Sequence, residues 1–166
     1  MTFIFTSEIK DKSIETIKSF YKHDIKIDSK KFSISKKTKR IIQNKIKQKF
    51  YRDQIHYWII KVDGKYHYAL LDNTLGKTMP ITFLVLFDEN QEVIHSSIIK
   101  YREGYGGEIS GKNWLNQFLG MRNDSLLKFE KDIDGITGAT ISVKSFTKGI
   151  SKLSLLLPHI MANNKK

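Results

Sequence analysis

The stretch HYWIIKVDGKYHYALL, residues 56–71, is the tightest local constraint in the chain. Two runs rich in aromatic and β-branched side chains are separated only by Asp63 and Gly64. A two-residue link between antiparallel strands needs positive φ at its centre, which Asp-Gly tolerates, so a β-hairpin is predicted. A second pair follows, ITFLVLF (81–87) and EVIHSSII (92–99), joined around DENQ. ITFLVLF lacks alternation and therefore reads as a central strand covered on both faces. Between the pairs lies LDNTLGKTMP, where Gly76 and Pro80 predict a break in regular structure.

Helical spacing brackets these strands. Residues 7–22 carry Ile9, Ile14, Ile17 and Tyr21, with Thr6 or Ser7 as N-cap. Residues 35–50 repeat the pattern, with Ser35 as cap and Ile42, Ile46 and Phe50 on one face. NWLNQFLG reads as a short helix that turns Trp114, Leu115, Phe118 and Leu119 inward. From Ser142 onward, Val143, Phe146, Ile150, Leu153 and Leu157 recur at helical spacing, and Pro158 is expected to close that helix. The predicted fold is α+β: an antiparallel, half-barrel-like sheet built from hairpins, with helices at the N-terminus and the C-terminus. A chain of 166 residues is read as a single domain, 1–166. It divides into a basic helical portion, 1–52, and a core, 53–160.

Charge separates those two portions. Residues 1–52 hold 15 Lys and Arg against 5 Asp and Glu, whereas residues 53–166 hold 14 against 12. A basic first third can bind nucleic acid, an anionic membrane or an acidic partner, or it is simply a solvated helix surface. Few aromatics are interleaved there for base stacking, which counts against nucleic acid. The absence of cysteine excludes disulfides, thiolate metal sites and thiol nucleophiles. The five histidines, at 23, 56, 67, 95 and 159, form no H-x-x-x-H pair and are assigned to strand packing or the surface rather than to metal. No apolar run approaches the roughly 18–20 residues that span a bilayer. The start, MTFIFTSEIK, has neither a basic n-region nor a long h-region, so any export signal or anchor is expected outside this chain.

Two loops are candidates for chemistry. DGITGATISVKSF (134–146) crowds Gly, Ala and hydroxyl residues at the mouth of a helix. The first turn of a helix presents free N–H groups and the positive end of the dipole, which favour an anion. Gly138 and Ala139 leave room for a bulky group, Thr137, Thr140 and Ser142 offer hydroxyls, and Asp134 can orient one of them. The competing reading is an ordinary capped turn. YREGYGGEISG (101–111) contains four glycines among eleven residues, of which Gly104, Gly106 and Gly107 suggest positive φ or close backbone approach to a flat ligand. The alternative is a wide loop joining a strand to the next helix. Neither loop fits a Walker A or dinucleotide fingerprint, and no βαβ unit is present. No catalytic or metal-binding residue is assigned.

Together the two loops resemble the FMN-binding domain family, found in the C subunit of sodium-pumping NADH:quinone oxidoreductase and the G subunit of the Rnf complex. The family signature Asp-x-x-[Ser/Thr]-Gly-Ala-Thr stands complete as Asp134, Gly135, Ile136, Thr137, Gly138, Ala139 and Thr140, followed by Ser142. The family's glycine-rich turn corresponds to Glu103, Gly104, Tyr105, Gly106 and Gly107, without the Pro of better known members. The likeness is specific over about residues 80–157. It implies FMN held by a phosphodiester to Thr140, delivered from FAD by a Mg-dependent flavin transferase. Asp134, Gly135, Thr137, Gly138, Ala139 and Ser142 would form the recognition turn. Tyr101 or Tyr105 would stack on the ring or serve as packing residues, and Lys77 lies near the site or, as the preferred reading, is a solvated loop lysine.

The resemblance further implies an electron carrier rather than a stand-alone enzyme. Membrane redox proteins would be its donor and acceptor, on the extracytoplasmic side of a bacterial membrane. A flavin domain without the covalent bond, and a basic module for nucleic acid or a membrane surface, are the rival readings.

Overall fold

The structure, a computed structural model, describes residues 6–122 and 131–165. The first five residues, on which part of the expectation about an export signal rests, lie outside them. Five strands, β1 (Lys26–Ser33), β2 (Gln54–Val62), β3 (Lys65–Leu75), β4 (Pro80–Phe87) and β5 (Val93–Lys100), form one open antiparallel sheet in sequential order. Helices α1 (Ser7–Tyr21) and α2 (Lys36–Ile46) flank β1 in sequence, the short α3 (Lys112–Leu115) follows β5, and α4 (Thr140–Asn164) ends the chain. The fold is α+β.

Asp63 and Gly64 take φ values of 50° and 76°, as the tight link between β2 and β3 demands. Alternation then sorts the side chains. Tyr57, Leu70, Phe83 and Val85 pack against Val143, Phe146, Ile150 and Leu153 of α4. Trp58, Ala69, Leu71, Leu84 and Leu86 turn the other way, onto Ile9, Ile17 and Tyr21 of α1. β4 is therefore covered on both faces, as its unbroken apolar run requires. Gly149, inside α4, is unfavourable for a helix by about 1 kcal/mol, yet a Cβ there would meet Phe83 Cζ at 2.7 Å. The glycine lets the helix lie close against the sheet.

Several assignments differ from the sequence reading. β1 carries no strand signal of its own: KIDSKKFS has only Ile27 and Phe32 half-buried, and the strand exists through its pairing with β2, from Lys26 opposite Lys61 to Ser33 opposite Gln54. β3 extends through Asp72, Asn73 and Thr74, all buried, because distant groups satisfy them. Asp72 meets Lys152, Asn73 accepts from the Thr82 hydroxyl at 2.6 Å, and Thr74 Oγ1 accepts from Gln48 at 2.8 Å. α2 stops at Ile46, where Lys47 adopts a left-handed cap, and Phe50 enters the core from the following segment. Pro158 does not close α4, which runs on to Asn164. Leu119 is exposed rather than turned inward, since the short helix gives way to a 3₁₀ turn at Asn116–Phe118.

Candidate functional site

The two glycine-containing loops meet at the start of α4. A cavity of about 300 Å³ opens there, lined by Lys77, Glu103, Gly104, Tyr105, Gly138, Ala139, Thr140, Ile141 and Ser142. Residues more than 30 positions apart in sequence are brought together by three separate anchors.

The first anchor holds the 134–140 turn. Ile133 is buried and Ile136 packs against the α4-side core. The Trp114 indole N–H donates to the Asp134 carbonyl at 2.9 Å, while the Asp134 N–H donates to Gln117 Oε1 at 2.9 Å. Trp114 itself stands on Phe118 and Phe146, with ring centroids 5.3 and 5.6 Å away. The short aromatic helix thus grips the signature turn by its backbone.

A second anchor joins the loops to each other. Gly106 has φ +80°, and a Cβ placed on it would run into the Cβ of Ala139 and come within 3.0 Å of Tyr101 Oη. Ala139 is correspondingly buried. The Tyr101 hydroxyl sits 2.6 Å from the Tyr105 carbonyl and 3.3 Å from Ser142 Oγ. The smallness of Ala139 therefore serves contact with Gly106, while Ala139 also lines the cavity. Gly138, by contrast, has open space where a side chain would project. Gly106→Ala is expected to force the loops apart and to strain a left-handed backbone, destabilising by roughly 2 kcal/mol. Chemical denaturation measures this, and an unchanged midpoint would contradict the packing argument.

Glu103 provides the third anchor. Its carboxylate accepts from the Thr78 N–H at 2.7 Å, the Met79 N–H at 3.0 Å and the Thr78 hydroxyl at 3.0 Å. Donation from the Met79 and Thr78 backbone holds the Glu103 carboxyl below the usual carboxylate range. Glu103 thus ties the 76–79 loop to the glycine turn and lies in the cavity wall as well. Lys77, carried by that loop, is exposed as a loop lysine and also lines the cavity.

The chemistry of the cavity follows from the helix start. Thr140 is the first residue of α4, and no side chain caps that end, the residue before it being Ala139. The first N–H groups of a 25-residue helix, with its dipole, favour an anion at this point. Thr140 has an exposed side chain, whereas Ser142 is buried at 3 % and in reach of Tyr101. Tyr105 is 86 % exposed at the rim, with Ile141 and Met79 also exposed. Asp134, Gly135, Thr137, Gly106 and Gly107 do not line the cavity. Sequence reasoning missed the hydrogen-bonding role of Gln117 and the bracing role of Tyr101, which leave no spacing pattern.

No curated protein matches the chain. Among solved structures, the C subunit of the Na(+)-translocating NADH-quinone reductase from Parabacteroides distasonis aligns with a TM-score of 0.51 at 16 % identity. The alignment covers 89 % of this chain and 92 % of that one, and the likeness is one of fold. Residues 76–154, a span that runs from the Glu103-bound loop through both glycine turns into α4, match the model of the FMN-binding domain. Through that span, the chain is similar to the FMN-binding domain family.

Proposed function

We propose that this protein is an electron-transfer flavoprotein that carries FMN on Thr140. The observation that supports the reading most directly is the placement of an exposed threonine hydroxyl at an uncapped helix start inside a cavity of about 300 Å³. That volume lies at the lower end of small-molecule sites, which suits a cofactor left partly open to its partners. The α4 N–H groups would hold the remaining phosphate charge, helped by Lys77, and Gly138 leaves space beside them. Tyr105, at the rim, is the side chain offered to a ring. Bound there, FMN would supply one- and two-electron chemistry that no side chain of this chain provides.

Attachment would be carried out by a Mg-dependent flavin transferase acting on FAD. Thr140 Oγ forms a bond to the FMN phosphorus, the pyrophosphate bond breaks, AMP leaves, and the hydroxyl proton is lost to base. Asp134, Gly135 and Thr137 stand outside the cavity on the exposed turn. Their place in this proposal is recognition by that transferase. A tethered flavin is not lost when reduction alters its affinity, which fits a relay between membrane redox proteins on the extracytoplasmic side of a bacterial membrane. No described helix is long and apolar enough to cross a membrane. The basic first third offers a surface for anionic lipid.

The test is the intact mass of protein matured in a host that has the transferase. An excess of one FMN on the polypeptide is expected, together with a fluorescent band after denaturing electrophoresis. A bare mass from that host excludes the covalent proposal and leaves flavin held without a bond.

A further inference from the structure

A second, smaller cleft lies on the α1 side of the sheet and shares no residue with the cavity at Thr140. It measures about 30 Å³ and is lined by Lys10, Lys31, Arg52, Gln54 and His56. Three structural elements deliver these groups. Lys10 comes from α1, Lys31 from β1 directly opposite His56 of β2, and Arg52 and Gln54 from the chain entering and starting β2. No carboxylate is among the lining residues. Neither Lys10 nor Lys31 has a side-chain hydrogen bond or ion pair among the described residues.

His56 forms the floor. It is 9 % exposed, its Nε2 lies 2.9 Å from Ser29 Oγ, and its ring rests against Trp58 with centroids 4.7 Å apart. Burial, and then the charges of Lys10, Lys31 and Arg52, push its imidazole down to about 4. The ring is neutral near pH 7, so three cations converge on an uncharged polar floor. Lys10 and Lys31, unpaired among the described residues, repel each other unless an anion sits between them.

We propose that this cleft binds a single phosphate-type oxyanion, with Lys10, Lys31 and Arg52 as charged donors and Gln54 as a neutral one. Arginine and lysine together suit phosphate, the guanidinium by its planar donor set and the ammonium as a point charge. A volume of about 30 Å³ admits about one water-sized group, so one oxygen enters while the rest of the ligand stays in solvent. The end of a phosphate monoester or diester has that shape. It is supplied either by free phosphate or by the headgroup of an anionic phospholipid.

His56 reports occupancy without any flavin. Inorganic phosphate, added against chloride at equal ionic strength, is expected to raise the His56 pKa seen by NMR, because a bound anion favours the imidazolium. K10Q/K31Q is expected to have a higher His56 pKa from the outset, two repelling charges being gone, and to lose the phosphate response. In a second arm, phosphatidylglycerol vesicles are expected to bind wild type at least roughly tenfold better than K10Q/K31Q. A phosphate response confined to wild type supports the site with free phosphate as a sufficient ligand. Silence toward phosphate, with variant-sensitive vesicle binding, supports it with the lipid headgroup as the source. Wild type and K10Q/K31Q behaving alike in both arms overturns it, and none of these outcomes depends on whether Thr140 carries FMN.

Discussion

Thr140→Val is expected to give a chain with the mass of the bare polypeptide even where the flavin transferase is present. Valine keeps the branched shape and removes the only atom that can form the ester. Neighbouring hydroxyls cannot stand in: Ser142 is 3 % exposed and engaged with Tyr101, and Thr137 lies outside the cavity. Thr140→Ser, which retains an oxygen at the same place, is expected to restore at least part of the mass increment. Because the Thr140 side chain is exposed and caps nothing, stability should move by no more than about 0.5 kcal/mol in either variant. A full flavin increment on Thr140→Val would place the attachment elsewhere and end the proposal for this residue.

The largest expected loss of stability comes from Lys152→Met. Lys152 is fully buried in α4, with its ammonium 3.0 Å from Asp72 Oδ2, donating to the Lys49 carbonyl at 3.0 Å and lying 4.8 Å from the Phe50 ring centre. Removing the cation leaves the Asp72 carboxylate, itself 2 % exposed, without its charge partner. Breaking a buried pair on one side costs roughly 3–5 kcal/mol, a large share of the roughly 5–15 kcal/mol that holds a domain folded. The double variant, Lys152→Met with Asp72→Leu, should recover most of that loss, since no buried charge is left unpaired. Urea denaturation separates the cases. A single variant as stable as wild type would mean that solvent or another group reaches Asp72.

Much of this could be read in the residues because the informative features are local. Asp63-Gly64 announces its hairpin, the unbroken apolar run of β4 announces two covered faces, and Thr6 and Ser35 cap their helices as their side chains allow. The two loops at the cavity are equally visible. What stays hidden depends on partners far away in the chain. Asp72, Asn73 and Thr74 look like loop residues until Lys152, Thr82 and Gln48 arrive to satisfy them. The same holds for Ala139, whose size is set by Gly106 across the gap. Pro158 misleads for a different reason: a proline in a late turn of a long, well-packed helix removes one hydrogen bond without ending the helix.

The position of β1 gives the lysines of the first third a task that needs no ligand. Among the described residues β1 is an outer strand of the sheet, bonded to β2 alone, so half of its backbone groups face away from a described partner strand. At the opposite margin, segments after β5 fold over the sheet, with Val93 exchanging backbone hydrogen bonds with Gly120 and Met121. β1 has no comparable cover in its own pairing pattern, and it presents Lys26, Lys30 and Lys31 as exposed residues. Two copies meeting along this margin would lay lysine against lysine, a repulsion that discourages edge-to-edge aggregation. Charge that suggests a binding partner in the linear sequence also acts, in the folded sheet, to keep identical chains from zipping together.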